Sequence, residues 1–229
     1  MKIATLNIDW AKKLKRTETE AFINRLEFDI MVITEGIDLN LPNFPYKYLC
    51  EPIPENTVYE GQDYLTLTAG ETAYRTIIYS KFPCIKLHEV NDPRSSLAVE
   101  LETPVGRIII YGAIVGTLYR IKPYAQVELE NLLADCRRIY ESNNNLFIIG
   151  DLNTSFREDE TRHCINNTTT QALSILFNDL NLIVPTNILA ENIDHIVTPK
   201  AFGDKITECK TFVDKDIVSD HKGVYITLL

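Results

Sequence analysis

No stretch of this sequence reaches the roughly 18 consecutive apolar residues that a membrane-spanning helix needs. The N-terminus, Met1-Lys-Ile-Ala-Thr-Leu-Asn7, lacks the apolar region and cleavage site of a signal peptide. These two absences set the expectation of a cytoplasmic protein with no membrane partner. Cysteine is sparse: Cys50, Cys84, Cys136, Cys164 and Cys209 are widely spaced, odd in number and form no Cys-x-x-Cys pair. That excludes a disulfide framework or a zinc knuckle and points to a reducing compartment, with at least four of the five expected as small buried hydrophobes. Internal repeats, low-complexity tracts and Gly/Ser linkers are missing too, so residues 1–229 are expected to form a single domain, and a monomer. Basic residues are in deficit, 23 against 32 acidic ones, for a net charge of -9. Such a balance repels nucleic acid at long range, so any basic binding surface has to be local.

What the chain does contain is a series of short runs rich in Ile, Val and Tyr, which predict strands at Lys2 to Ile8, Ile30 to Thr34, Tyr74 to Tyr79, Leu97 to Leu101, Arg107 to Ala113, Leu146 to Ile149, Ile193 to Val197 and Gly223 to Leu228. Thr103-Pro-Val-Gly106 reads as a hairpin connection. Helical periodicity marks three segments: one opened by a capping box at Thr17 and Glu20, one starting near Pro123 with Leu129, Leu132, Cys136 and Ile139 on a stripe, and one carrying Leu173, Leu176, Phe177 and Leu180. Strands mixed with one-sided helices predict an α/β fold, a four-layer α/β/β/α sandwich of two packed mixed β-sheets.

Five segments place a carboxylate, carboxamide or imidazole at the end of an apolar strand: Thr5-Leu-Asn7, Ile33-Thr-Glu35, Ile149-Gly-Asp-Leu-Asn153, Asn192-Ile-Asp-His195 and Val218-Ser-Asp-His221. Each alone has an ordinary explanation. Gly150 to Asn153 is turn chemistry, Glu35 before Gly36 is a solvated loop charge, and His195 or His221 is a satisfied histidine near the core. Five together fit phosphoester hydrolysis, which needs charge neutralisation on the non-bridging oxygens, an oriented water and support for the leaving oxygen. Hard oxygen donors such as Glu35, Asp151 and Asp220 suit Mg²⁺ or Mn²⁺ rather than zinc. Asp194 can fix the tautomer of a histidine, and Asn7 and Asn153 can bind phosphate oxygens without adding negative charge.

In order and spacing these segments resemble the signature of the endonuclease/exonuclease/phosphatase superfamily, the DNase I-like fold. The resemblance runs from residue 3 to the C-terminus and includes Tyr74 to Pro83, similar to an architectural strand followed by Ser-Arg/Lys-Phe-Pro. It implies that Asn7, Glu35, Asp151, Asn153, Asp194 and His221 match the family's site residues. Two departures stand out. Thr34 replaces the usual Gln before the metal-binding Glu, and Ala113-Ile-Val-Gly-Thr-Leu118 replaces a Tyr-x-Pro-Asn or Thr-His-Leu segment that supplies a phosphate ligand. Thr117, Tyr119, Arg120 and Lys122 are the substitutes within reach. With about forty residues between Asn153 and Asp194, insertions that grip duplex DNA are expected to be reduced.

The combined expectation is a Mg²⁺-dependent phosphodiesterase cleaving nucleic-acid strands or ends by in-line attack of water. Asp151 positions the water, Glu35 and Asp220 hold metal, Asn7, Asn153 and His221 bind phosphate, and Asp194 supports His221. Whether Asp151 or His221 takes the proton stays open. Arg75 and Arg94 are further basic groups expected near the rim. A phosphatase or phosphodiesterase for an inositol phosphate or a nucleotide is the rival favoured by the acidic balance. A binding module that keeps the fold without turnover is the reading from another class.

Overall fold

A computed structural model describes residues 1–53, 58–59, 62–63, 72–116, 124–160 and 167–229. The first sheet contains β1 (Lys2–Asn7), β2 (Ile30–Ile37), β3 (Tyr46–Leu49), β6 (Ala73–Ser80), β13 (Ile206–Val213) and β14 (Gly223–Leu228), in the order β13-β14-β1-β2-β6-β3. The second contains β7 (Cys84–His88), β8 (Leu97–Thr103), β9 (Gly106–Ile114), β10 (Leu146–Asp151), β11 (Leu182–Ile183) and β12 (Asp194–Pro199), in the order β11-β12-β10-β9-β8-β7. Two short strands, β4 (Val58–Tyr59) and β5 (Gln62–Asp63), pair with each other. Both large sheets are mixed: β1 runs parallel to β2 and β9 parallel to β10, while the other pairs are antiparallel.

Side chains alternate faces along a strand, and that period of two builds the layers. Ile3, Ile30, Val32, Ile78, Ile110, Phe147, Ile149, Ile196 and Ile226 fill the space between the sheets. Their neighbours Ala4, Leu6, Met31, Ile33 and Ile77 point the other way, against α1 (Arg16–Ile23). On the far side, Ile109, Tyr111, Leu146, Ile148 and Val197 meet α2 (Tyr124–Ser142) and α3 (Asn167–Asp179). The result is the expected α/β/β/α sandwich.

Several local expectations change. The cap of α1 lies two residues earlier than Thr17 and Glu20 predict: Lys15 is the N-cap and its N–H donates to Glu18 at 3.0 Å, while Glu20 accepts from the Asn40 N–H at 2.8 Å. Strands β3, β7 and β13 were not foreseen, and all three are edge strands with several exposed or half-buried positions, where the apolar signal is weakest. The hairpin at Thr103–Gly106 forms as read, with Thr103 paired to Gly106 and Gly106 at φ +100°. Cys50 and Cys136 are buried, Cys84 and Cys209 half-buried, and all four are free thiols; Cys164 lies outside the described residues. No described helix is long and apolar enough to cross a membrane.

Candidate active site at the strand ends

The inner-facing parity that carries isoleucine and phenylalanine through the middle of the sandwich ends in polar residues on one edge of it. Phe147 and Ile149 lead to Asp151 on β10, Ile3 and Thr5 lead to Asn7 on β1, and Ile196 is preceded by Asp194 on β12. Asp151 and Asp194 are direct register partners across β10 and β12. Gly150 makes this possible: at φ +141° it brings the backbone so close to β9 that a Cβ would lie 2.0 Å from the Ala113 carbonyl oxygen.

Asp151 is buried and held through both oxygens. Oδ2 accepts from Asn7 Nδ2 at 3.0 Å and Oδ1 accepts from the Asn153 backbone N–H at 2.8 Å. The Asp9 N–H donates to Asn7 Oδ1 at 2.8 Å, which fixes which end of the Asn7 amide faces Asp151. Likewise the Val115 carbonyl accepts from Asn153 Nδ2 at 3.0 Å. His221 completes the group, with Nδ1–H donating to Asp194 Oδ2 at 2.7 Å and Nε2 lying 3.9 Å from Asp151 Oδ2. Its loop is stitched to β1 by Ser219, whose Oγ donates to the Asn7 carbonyl at 2.5 Å and accepts the His221 N–H at 3.1 Å.

Burial raises the carboxyl group of Asp151 well above the ordinary carboxylate range; His221 works against this, whereas Asp194 and Glu35 add to it. Burial alone would lower the His221 imidazole, but Asp194 and Asp151 outweigh it and hold the ring well above its ordinary value. Glu35 is raised by burial and by Asp9, against His221. Glu35 and Asn153 both sit at positive φ, +46° and +50°, a conformation non-glycine residues hold at a cost of about 1–3 kcal/mol each and that concentrates at working sites. After Asn7 three more residues, Asp9, Trp10 and Ala11, are left-handed in succession.

The structure thus brings Asn7, Asp151, Asn153, Asp194 and His221 into direct contact or close approach, and the field of Glu35 reaches Asp151. Asp220 comes as near the ring, with Oδ1 3.8 Å from His221 Nε2, but from the solvent side, its side chain 77% exposed. Thr117, Tyr119, Arg120 and Lys122 lie outside the described residues. Arg75 is not a rim cation, because it is buried in an ion pair with Glu128 at 2.7 Å, and Arg94 lies 4.0 Å from Glu51. His195 turns away from Asp194 into the outer layer. Sequence reasoning passed over Asp9, two residues after Asn7, and gave no role to Ser219, which lies inside the motif that ends at His221.

The donors fit a hard dication. Asp151, Asp194 and His221 bring their ligand atoms within 4.8 Å of one another, and Glu35, whose charge is felt at Asp151, has no hydrogen bond or salt bridge among the described residues. Rich in carboxylate oxygen and without a thiol, the set suits a hard divalent cation and not a thiophilic metal.

Among solved structures, the chain is similar to a 3′ phosphatase, NExo, from Neisseria bound to a product DNA hairpin, and to the 3′-5′ exonuclease NExo from Neisseria meningitidis. Each aligns with TM-score 0.68 and 16% identity over 100% of this chain and 99% of the other. The endonuclease domain of TRAS1, a telomere-specific non-LTR retrotransposon, aligns with TM-score 0.63 and 14% identity over 99% and 97%. At such identities the likeness establishes a shared DNase I-like fold. A search of curated proteins returned no match. A family model does match, from residue 4 to residue 221, and nearly the whole chain therefore belongs to the endonuclease/exonuclease/phosphatase family of phosphoester hydrolases.

Proposed function

We propose that the chain is a Mg²⁺-dependent phosphodiesterase acting on nucleic-acid strands or ends. The observation that carries this reading is the Asp194–His221–Asp151 group, in which Asp194 holds His221 Nδ1 at 2.7 Å and His221 Nε2 faces the buried Asp151 carboxyl at 3.9 Å. Asp194 fixes the proton on His221 Nδ1 and balances the ring's charge, leaving Nε2 to donate to a non-bridging phosphate oxygen. Asp151, with Asn7 and Asn153 each occupying one lone pair, orients the attacking water, and its raised proton affinity equips it to take the proton. Asn7 and Asn153 contact the phosphate with neutral amide groups. Glu35, with Asp220 at the open edge, would hold Mg²⁺, which supplies positive charge to the non-bridging oxygens. Mn²⁺ is the expected substitute.

The NExo and TRAS1 relatives, by their descriptions, include DNA-bound and endonuclease forms, and this supports nucleic acid as the substrate. One observation favours a second reading, a small phosphorylated molecule: net charge is -9, and Arg75, which sequence placed on the rim, is buried and paired. Binding single strands of increasing length to an Asp151→Asn variant at several salt concentrations separates the two. The nuclease reading expects a shallow salt slope, with affinity rising over the first few nucleotides. No gain over a mononucleotide moves the substrate to the small-molecule class, and no turnover by the parent protein with Mg²⁺ or Mn²⁺ removes the enzymatic reading.

A further inference from the structure

Outside the site just described, one salt bridge among the described residues has both side chains buried, Arg75 on β6 with Glu128 on α2. Their side chains are 8% and 6% exposed and meet at 2.7 Å. Removing two charges from water is costly, and apolar residues of similar volume are often as stable, so stability alone is a weak reason for such a pair. Its surroundings indicate another use. Arg75 Nη1 donates to Ser95 Oγ at 3.0 Å, and Ser95 Oγ donates to Asp92 at 2.6 Å, so the guanidinium is anchored from the β8 side. The second oxygen of Glu128, Oε2, accepts the Gly116 N–H at 2.8 Å.

That N–H belongs to the same peptide unit as the Val115 carbonyl, which accepts from Asn153 Nδ2. The peptide is planar, so fixing its N–H fixes the direction of its C=O. The Val115 N–H, one unit earlier, donates to the Asp151 carbonyl at 2.9 Å. Gly116 sits at φ +97°, a conformation in which glycine is at home and other residues are strained. A line of contacts therefore runs from Arg75 through Glu128 and one peptide plane to the carboxamide of Asn153. It lies in the segment, Ala113 to Leu118, where the sequence departs from its family's pattern.

We propose that Arg75 and Glu128 are a positioning pair for the phosphate-facing amide of Asn153, acting through the Val115–Gly116 peptide. Glu128 orients the peptide by its N–H, and Arg75 holds the Glu128 carboxylate in place. One N–H of the Asn153 amide is committed to Val115, and the direction of that bond aims the other at the substrate. This inference rests on the phosphodiesterase reading for what Asn153 does, though not for how it is held.

The test separates packing from positioning. An Arg75→Met/Glu128→Met double variant replaces the pair with apolar side chains and takes away the acceptor for Gly116. We expect a Tm near that of the parent, kcat on a phosphodiester lower by on the order of 10- to 100-fold with KM changed less than about threefold, faster hydrogen exchange at the Gly116 N–H and shifted Asn153 side-chain amide resonances. Glu128→Gln leaves Arg75 without its counter-charge and so lowers Tm, but it keeps an acceptor for Gly116 and should hold the Asn153 resonances and kcat per folded molecule close to the parent. If kcat per folded molecule recovers in the double variant, or if Asn153 resonances stay at their parental positions in every variant, the pair is structural and the proposal is overturned. Exchange and resonance positions need no turnover. A parent protein inactive with Mg²⁺ and Mn²⁺ would therefore end the functional reading while the amides still decide the positioning pair.

Discussion

The chain contains two Asp-His dipeptides that read alike in sequence and behave oppositely in space. In Asp194-His195 the carboxylate faces the site and the imidazole turns into the outer layer. In Asp220-His221 the imidazole faces the site and the carboxylate stands in solvent. The first lies on a strand, where neighbours must point to opposite sheet faces: Asp194 shares the face of Ile196 and looks between the sheets, and His195 shares the face of Val197. The second lies on a loop, where Ser219 sets the direction of His221. A strand makes one of two adjacent polar residues functional by parity; a loop does so by a hydrogen bond.

The largest effect that tests this contrast is on turnover. His221→Ala and Asp194→Asn should each lower kcat by about 10²- to 10³-fold, the range for losing a positioned donor to developing negative charge. Because one residue orients the other, the double variant should be scarcely slower than the slower single variant. Single-turnover rates at saturating metal make the measurement, and fully additive losses would break the pairing of Asp194 with His221.

His195 should show its role in stability. Its Nε2–H donates to the Thr154 carbonyl at 2.9 Å, and its Nδ1 lies 3.0 Å from Thr186 Oγ1, which accepts the Ile196 N–H at 3.2 Å. The neutral ring is thus satisfied on both sides, and Phe156 packs on it at 5.0 Å. Burial lowers the imidazole from 6.5 to about 4, against the hydrogen bond to Thr154. Between those values the unfolded chain binds a proton that the folded chain refuses. The stabilisation is complete above about pH 6.5 and is lost as pH falls toward 4, by about 3 kcal/mol in all. Urea unfolding at pH 7, 5.5 and 4 measures it, and His195→Gln, compared at each pH, subtracts the titration of every other group. A wild-type and variant pair with parallel pH profiles would show that His195 is not the buried neutral group described.

The same contrast shows how far the sequence carries. Asn7, Asp151 and Asp194 were legible because each ends or begins an apolar run of inner parity, so pattern and chemistry coincide on one residue. The choice between Asp194 and His195 was legible from the same parity once the strand was assigned. The Arg75–Glu128 pair was not: the residues lie 53 positions apart, and Arg75 read from sequence as an exposed cation. Strand β13, Ile206-Thr-Glu-Cys-Lys-Thr-Phe-Val213, carries too few apolar residues to announce itself because, at a sheet edge, most of its side chains are half-buried or exposed. The cap of α1 was misread because Glu18 reaches the N–H of a lysine, a residue that supplies no side-chain acceptor of its own and so leaves no capping signature.

The smallest effect belongs to the outward carboxylate. Asp220 is expected to assist metal binding, yet its side chain is 77% exposed and lies 3.8 Å from His221 Nε2, so water screens its charge strongly. Asp220→Asn should therefore raise the half-saturating Mg²⁺ concentration by roughly three- to tenfold, about 1 kcal/mol, the scale of an exposed charge interaction. At saturating Mg²⁺, kcat should stay within about twofold of the parent. Glu35→Gln provides the reference, because a buried carboxamide cannot replace the anionic oxygen that a hard dication requires, and it should lose metal affinity and turnover together. Calorimetric Mg²⁺ titration of the two variants, paired with rates at several metal concentrations, ranks them. If Asp220→Asn matched Glu35→Gln in both measurements, the second Asp-His dipeptide would have two working members, and the division of labour drawn between the dipeptides would hold only for the strand.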